Sequence, residues 1–131
     1  MDPTKFKDVK VKRGYNYHYY YSPAAPGKPT ILFVHGFPST SADWARQVAH
    51  LEPLGYGIVV PDCLGYGGSS KPADYKEYRH KLLSQDFVEI LDAEGIQSAI
   101  AIGHDWCVQS HAGIRDASPD LYPCRSNLTP N

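Results

Sequence analysis

Cysteine and net charge are both scarce in this chain. Its 131 residues include three cysteines and carry a formal net charge of −1. Cys63, Cys107 and Cys124 are too widely spaced for a disulfide framework or a zinc-binding pattern, so we expect a reducing, cytoplasmic setting and no metal. With so little net charge, no global field favours nucleic acid or an anionic membrane as a partner.

Long apolar runs are missing as well. No stretch approaches the roughly 18 apolar residues of a membrane span, and the first residues lack the apolar segment of a secretory signal. The glycine-rich segment 65–68 is not followed by the Gly-Lys-Ser/Thr ending of a phosphate loop, so we interpret it as a structural turn. We therefore expect no cofactor and no membrane-spanning segment.

What remains is the composition of an ordinary globular domain, with 42% apolar and 21% charged residues. Periodicity and turn residues predict seven elements. In order they are strands at 6–12 and 15–21, a strand at 31–34, a helix from about 41 to 55, a strand at 57–62, a helix from about 74 to 94, and a strand at 100–102. This alternation predicts an α/β fold, a mostly parallel sheet with an antiparallel edge made by the first two strands.

The first two strands carry two patterns that packing explains. Tyr15, Tyr17 and Tyr19 share one face by the strand period of two, and amphipathic packing accounts for them better than base stacking. Five of the first thirteen residues are basic, and Lys10 and Lys12 alternate with valines. We interpret these basic residues as a solvated strand face rather than a binding patch.

Residues 103–107, which read Gly-His-Asp-Trp-Cys, carry the strongest functional signal. A buried strand followed by Gly-x-nucleophile-x-small is the pattern of a nucleophile elbow, a sharp turn that lifts one side chain to the end of a sheet. Asp105 occupies the lifted position. A carboxylate there suits attack on a saturated carbon to form an ester. Taken alone, this aspartate could equally be the N-cap of a helix.

Three motifs follow one another in a specific order. They are His-Gly-Phe-Pro at 35–38, Pro-Asp-Cys-Leu-Gly-Tyr-Gly-Gly-Ser-Ser-Lys-Pro at 61–72, and Gly-His-Asp-Trp at 103–106. Together with the intervening helix they resemble the soluble epoxide hydrolase branch of the α/β-hydrolase fold. The resemblance covers about residues 14–106, the first third or so of such an enzyme. It implies an N-terminal part of an α/β-hydrolase core at 1–106, followed by an atypical tail at 107–131, a short helix and then coil.

The resemblance also implies a role for each matching residue. Asp105 is the expected catalytic nucleophile, which opens an epoxide and becomes an ester. The backbone N–H groups of Phe37 and Trp106 form the oxyanion hole. Phe37, Pro38 and Trp106 line the pocket for a small apolar epoxide, and Pro38 shapes the turn that aims the Phe37 N–H inward. His35 and His104 are expected to hold loop backbone through hydrogen bonds.

The chain departs from the family pattern after Trp106. Cys107 stands where the family carries glycine, and nothing in 107–131 resembles a cap domain or the C-terminal half of the core. His111 is the only histidine after Asp105, and nothing places it as the base that activates water. We therefore expect an impaired, incomplete hydrolase. A catalytically inert fragment and a haloalkane or haloacid dehalogenase-like hydrolase remain the alternatives.

Overall fold

The structure is a computed structural model that describes residues 1–105. Five strands in this part of the chain form one sheet, in the spatial order β1-β2-β4-β3-β5. The strands are β1 (Phe6–Lys10), β2 (Asn16–Ser22), β3 (Thr30–Val34), β4 (Gly57–Pro61) and β5 (Ala99–Gly103), and the α-helices are α1 (Ala45–Leu51) and α2 (His80–Ala93). The predicted boundary at 106 and the predicted tail at 107–131 lie outside the described residues.

The sheet is mixed in the way the sequence predicts. The strand β2 pairs antiparallel with both β1 and β4, whereas β3 pairs parallel with both β4 and β5. The three strands with helical connections are thus the parallel ones, because a chain that crosses over through a helix returns in the same direction. The α/β fold class with an antiparallel N-terminal edge is confirmed.

Each face of the sheet is covered by one of the two helices. Tyr17 and Tyr19 are buried on the same face as Phe87 of α2, with Tyr15 packed against them. On the other face, Val48 of α1 belongs to a second buried cluster with residues of β2, β3 and β4. The shared face of the three tyrosines is therefore confirmed as packing. Continuous burial of β3 and β4 follows from this double cover.

The helix predicted at 74–94 is wrong in one respect, because it is interrupted at Arg79. This residue has φ −63° and ψ 133°, an extended conformation that separates a 3₁₀ turn from α2. The turn is held by its own contacts: the Asp74 side chain caps it, and the Tyr78 hydroxyl donates to the Pro72 carbonyl at 2.7 Å. These contacts tie the turn to the preceding loop and override the helical propensity of the segment.

The basic N-terminal residues divide into two groups. Lys10 and Lys12 are exposed, as the solvated face requires. Arg13 is not part of that face, because its guanidinium donates to both carboxylate oxygens of Asp86 at 3.0 and 2.5 Å. Asp86 is fully buried on α2 and also accepts from the Tyr17 hydroxyl at 2.7 Å. A buried carboxylate needs such partners, so the arginine is drawn inward.

The strand β5 forms one edge of the sheet in the described part of the chain. Its burial alternates, and the side chains of Ile100 and Ile102 are exposed on one face. In residues 1–105, no helix has both the length and the apolar character that crossing a membrane requires.

Candidate active site

The candidate site lies where the three parallel strands end. Strands that run in the same direction bring their carboxyl ends to one edge of a sheet, the usual place for ligand sites in α/β folds. The loop at 35–38 follows β3, the loop at 62–70 follows β4, and Asp105 comes two residues after β5. His104 extends the pairing beyond the strand, since its N–H donates to the Val34 carbonyl at 3.1 Å.

Asp105 adopts a strained backbone conformation. Its φ is +61°, and it is the single non-glycine residue with positive φ between residues 1 and 105. A left-handed conformation costs an L-residue about 1–2 kcal/mol, and such strain concentrates at functional sites. A residue with this φ does not continue or cap an ordinary helix, so the N-cap alternative does not fit. The turn leaves the Asp105 side chain exposed at the end of the sheet.

The loop after β3 meets this side chain directly. The Phe37 backbone N–H donates to Oδ2 of Asp105 at 3.1 Å. Gly36 makes the approach possible, because a Cβ at this position would lie 2.5 Å from Cβ of Asp105 and 2.9 Å from the His104 carbonyl oxygen. A glycine is required where two backbones approach this closely.

The structure brings together some of the predicted site residues. Asp105 and Phe37 are in contact, and Phe37 is 66% exposed. Pro38 is also exposed and follows a cis peptide bond. Trp106, predicted as the second oxyanion-hole donor and a pocket residue, lies outside the described residues, as does Cys107. The Phe37 ring packs edge-on to Tyr66, with 6.3 Å between ring centroids.

His35 supports the loop backbone, as predicted. It is 1% exposed, and its Nδ1 lies 2.9 Å from the Gly36 carbonyl oxygen. On the other side of the ring, the Cys63 N–H donates to Nε2 at 2.9 Å. The imidazole therefore joins the loop after β3 to the loop after β4. His104 contributes through its main chain, by the hydrogen bond to Val34 given above.

Asp62 is a supporting residue that the sequence analysis did not single out. Its buried carboxylate accepts from the backbone N–H groups of Ser41 at 2.8 Å and Gly68 at 2.9 Å. Burial by itself would raise the pKa of Asp62, but these N–H donors outweigh it and hold the pKa below its ordinary value. Gly67 allows the fit, since a Cβ there would lie 2.0 Å from the carboxylate. The sequence does contain a signal for this role, because Asp62 lies at the end of a predicted strand, before a glycine-rich loop whose N–H groups can bind a carboxylate.

The arrangement has a defined chemical capacity. An exposed carboxylate, held through one oxygen by a backbone donor, can act as a nucleophile toward an electrophilic carbon. The same donor is placed to stabilise negative charge that develops on that oxygen. Within residues 1–105, no cluster of histidine, cysteine, aspartate and glutamate side chains could hold a metal ion.

Comparison with known sequences agrees with the geometry. The chain is 46% identical over 78 residues to an epoxide hydrolase of Caballeronia sordidicola, and the aligned region covers 60% of this chain and 24% of that protein. It is 41% identical over 81 residues to epoxide hydrolase A of Mycobacterium tuberculosis, and the aligned region covers 62% of this chain and 25% of that protein. The chain thus spans about a quarter of the length of these curated relatives, 24% and 25%.

Solved structures give the same result. An epoxide hydrolase from an endophytic Streptomyces superimposes with a TM-score of 0.80 at 31% identity, over 89% of this chain and 34% of that chain. A variant of the Vigna radiata epoxide hydrolase superimposes with a TM-score of 0.81 at 26% identity, over 95% of this chain and 42% of that chain. A family model described as the alpha/beta hydrolase fold matches residues 29–106. With its strand order, its elbow and these matches, the chain belongs to the α/β-hydrolase fold family.

Proposed function

We propose that this chain carries the nucleophile of an epoxide hydrolase-like enzyme, and that Asp105 is that nucleophile. The observation that carries the proposal is the hydrogen bond of 3.1 Å from the Phe37 N–H to Oδ2 of Asp105, whose own φ is +61°. The named relatives are epoxide hydrolases, which favours an oxirane as the electrophile.

The first step forms an ester on the chain. A carboxylate oxygen of Asp105 attacks one carbon of the oxirane, and the bond from that carbon to the ring oxygen breaks. The ring oxygen leaves as an alkoxide, which takes a proton from water. The product is a hydroxyalkyl ester of Asp105. Phe37, Pro38 and Trp106 are the proposed lining of the pocket that receives a small apolar epoxide.

The second step, hydrolysis of the ester, places different demands on the protein. Water must lose a proton as it attacks the ester carbonyl, and the carbonyl oxygen becomes an oxyanion. The N–H groups of Phe37 and Trp106 are the proposed donors to that oxyanion. The family resemblance assigns the activation of water to a histidine, and His111 is the only one after Asp105 in this sequence. For the 131-residue chain we therefore expect the ester to accumulate.

Intact-mass spectrometry after incubation with styrene oxide tests the proposal. We expect one base-labile adduct of the mass of styrene oxide on the chain and no base-labile adduct on the Asp105→Asn variant, because mild base cleaves an aspartyl ester but not a thioether formed on one of the three cysteines. Asp92→Asn is the matched control, because Asp92 is also an exposed aspartate but lies on α2, away from the site. The control should label like the parent chain.

Three other outcomes would count against particular parts of the proposal. A base-labile adduct that persists in Asp105→Asn would show that another carboxylate is the nucleophile. Continuous release of phenylethanediol would contradict the expected accumulation of the ester. The absence of a base-labile adduct would favour the inert alternative. Parallel incubation with 1-bromohexane addresses the dehalogenase alternative, which predicts bromide release and a hexyl adduct at a higher rate than with styrene oxide.

A further inference from the structure

The imidazole of His35 has its hydrogen-bond partners on both sides. The Cys63 N–H, which lies 2.9 Å from Nε2, can only donate, so Nε2 must accept. The Gly36 carbonyl oxygen, which lies 2.9 Å from Nδ1, can only accept, so Nδ1 must carry a proton. One arrangement of protons satisfies both contacts, and it is the neutral ring with its proton on Nδ1.

The bond to the Gly36 carbonyl bears on the site because of peptide geometry. The Gly36 carbonyl and the Phe37 N–H belong to one planar peptide unit, and in a trans unit they point in opposite directions. When His35 holds the carbonyl oxygen in the interior, the N–H on the far side of the same plane points outward. There it meets Oδ2 of Asp105 at 3.1 Å. A rotated peptide would instead turn its carbonyl oxygen toward the carboxylate, which is repulsive.

The ring itself is held in place. It is buried, and the Tyr66 ring packs edge-on against it at 5.5 Å between centroids with an interplanar angle of 87°. The backbone of the same residue is also held, because the Cys63 thiol lies 3.6 Å from the His35 carbonyl oxygen. A fixed ring makes an effective anchor, since its nitrogens cannot move far from their partners.

We propose that His35, as the neutral Nδ1–H tautomer, is the positioning residue that sets the orientation of the Gly36–Phe37 peptide. Through that peptide it determines whether the Phe37 N–H faces Asp105. The consequence for catalysis rests on the proposed function. The structural part of the inference does not, because the tautomer and the peptide orientation are properties of the folded chain.

The tautomer is measured first, on the unmodified chain. A long-range proton–nitrogen NMR spectrum distinguishes a protonated ring nitrogen from an unprotonated one, and the signals of His35 are those that disappear in His35→Asn. We expect a protonated Nδ1 and an unprotonated Nε2 at neutral pH. A proton on Nε2 overturns the inference, since it would remove the acceptor for Cys63.

Two variants then separate the ends of the ring. In His35→Asn the side-chain amide nitrogen lies near the position of Nδ1 and can still donate to the Gly36 carbonyl. In His35→Gln the amide oxygen reaches the position of Nε2 and can accept from Cys63, but nothing donates to the carbonyl. Both variants lose the ring, so each is the control for the packing loss of the other.

We expect the downfield amide proton of Phe37, a sign of its bond to a carboxylate, to persist in the asparagine variant and to move upfield in the glutamine variant. Labelling of Asp105 by styrene oxide should be about ten- to a hundredfold slower in the glutamine variant than in the asparagine variant, because the Asp105 carboxylate is no longer held in one orientation for attack. Equal amide shifts in the two variants overturn the inference. If the parent chain is not labelled, the proposed function fails, while the tautomer and the amide shift still decide the role of His35.

Discussion

Replacing Gly36 by alanine perturbs the site at its closest backbone approach. The new Cβ would lie 2.5 Å from Cβ of Asp105 and 2.9 Å from the backbone carbonyl of His104. Carbon atoms in ordinary contact are about 3.5–4.0 Å apart, so one of the two loops must retreat by about 1 Å. Neither obstacle is the end of a flexible side chain, and the retreat must therefore involve backbone.

The size of the effect follows from these distances. Forcing an extra carbon into a packed site costs about 1–3 kcal/mol of stability. A retreat of about 1 Å lengthens the contact between the Phe37 N–H and Asp105 Oδ2 from 3.1 Å to beyond hydrogen-bond distance. A nucleophile displaced by about 1 Å loses its alignment for attack, which corresponds to about a tenfold to hundredfold loss in the rate of Asp105 labelling.

The assay combines urea unfolding with intact-mass measurement of styrene oxide labelling, corrected for the folded fraction. Gly57→Ala is the matched control. Its Cβ would lie 2.4 Å from Oγ1 of Thr30, a clash of similar severity at the start of β4, whereas Asp105 lies beyond the end of β5. Both variants should lose stability, but Gly36→Ala alone should label slowly. Equal labelling rates in the two variants would refute the argument that Gly36 serves the contact with Asp105.

Two further predictions concern the groups that support the site. The pKa of Asp62 is lowered in the folded chain, so the contribution of Asp62 to stability is complete above the ordinary pKa of 3.8 and is lost as the pH falls below that value. Asp62→Asn should therefore be less stable than the parent chain at pH 7 and should lose less stability on acidification. Parallel acid titrations followed by circular dichroism check this, and an equal loss of stability in the two chains would disprove it. Tyr17→Phe removes a donor from the buried Asp86 carboxylate, so urea unfolding should show a loss of about 1.5–3 kcal/mol, and a loss under about 0.5 kcal/mol would contradict it.

The parts of the fold that follow from local patterns were predictable. The continuous apolar runs at 31–34 and 57–60 are short and lie between turn residues, which favours strands covered on both faces, and the period of two placed the tyrosines of β2 on one face. The elbow was also readable from an aspartate that follows an apolar strand and a glycine, although that strand, β5, is exposed on one face rather than buried on both. Its contact with Phe37 needed the second motif, since neither segment alone says which strands are neighbours.

The features that the sequence did not predict depend on long-range contacts. The break at Arg79 arises from the bond of the Tyr78 hydroxyl to the preceding loop, which no helical periodicity reveals. The sequence indicates that Arg13 is a surface cation, whereas in the structure it binds the buried carboxylate of Asp86, 73 positions away. Asp62 likewise gains its importance only when the loop and the turn that donate to it are brought together.

Peptide mapping of the chain labelled by styrene oxide tests the central claim most directly. The chain has 14 aspartate and glutamate residues, and any of them could in principle be alkylated. A strained elbow that presents one anchored carboxylate predicts that, among these 14 carboxylates, tandem mass spectrometry places the alkyl group on Asp105 alone. Label distributed over several exposed carboxylates, or absent from Asp105, would contradict the account.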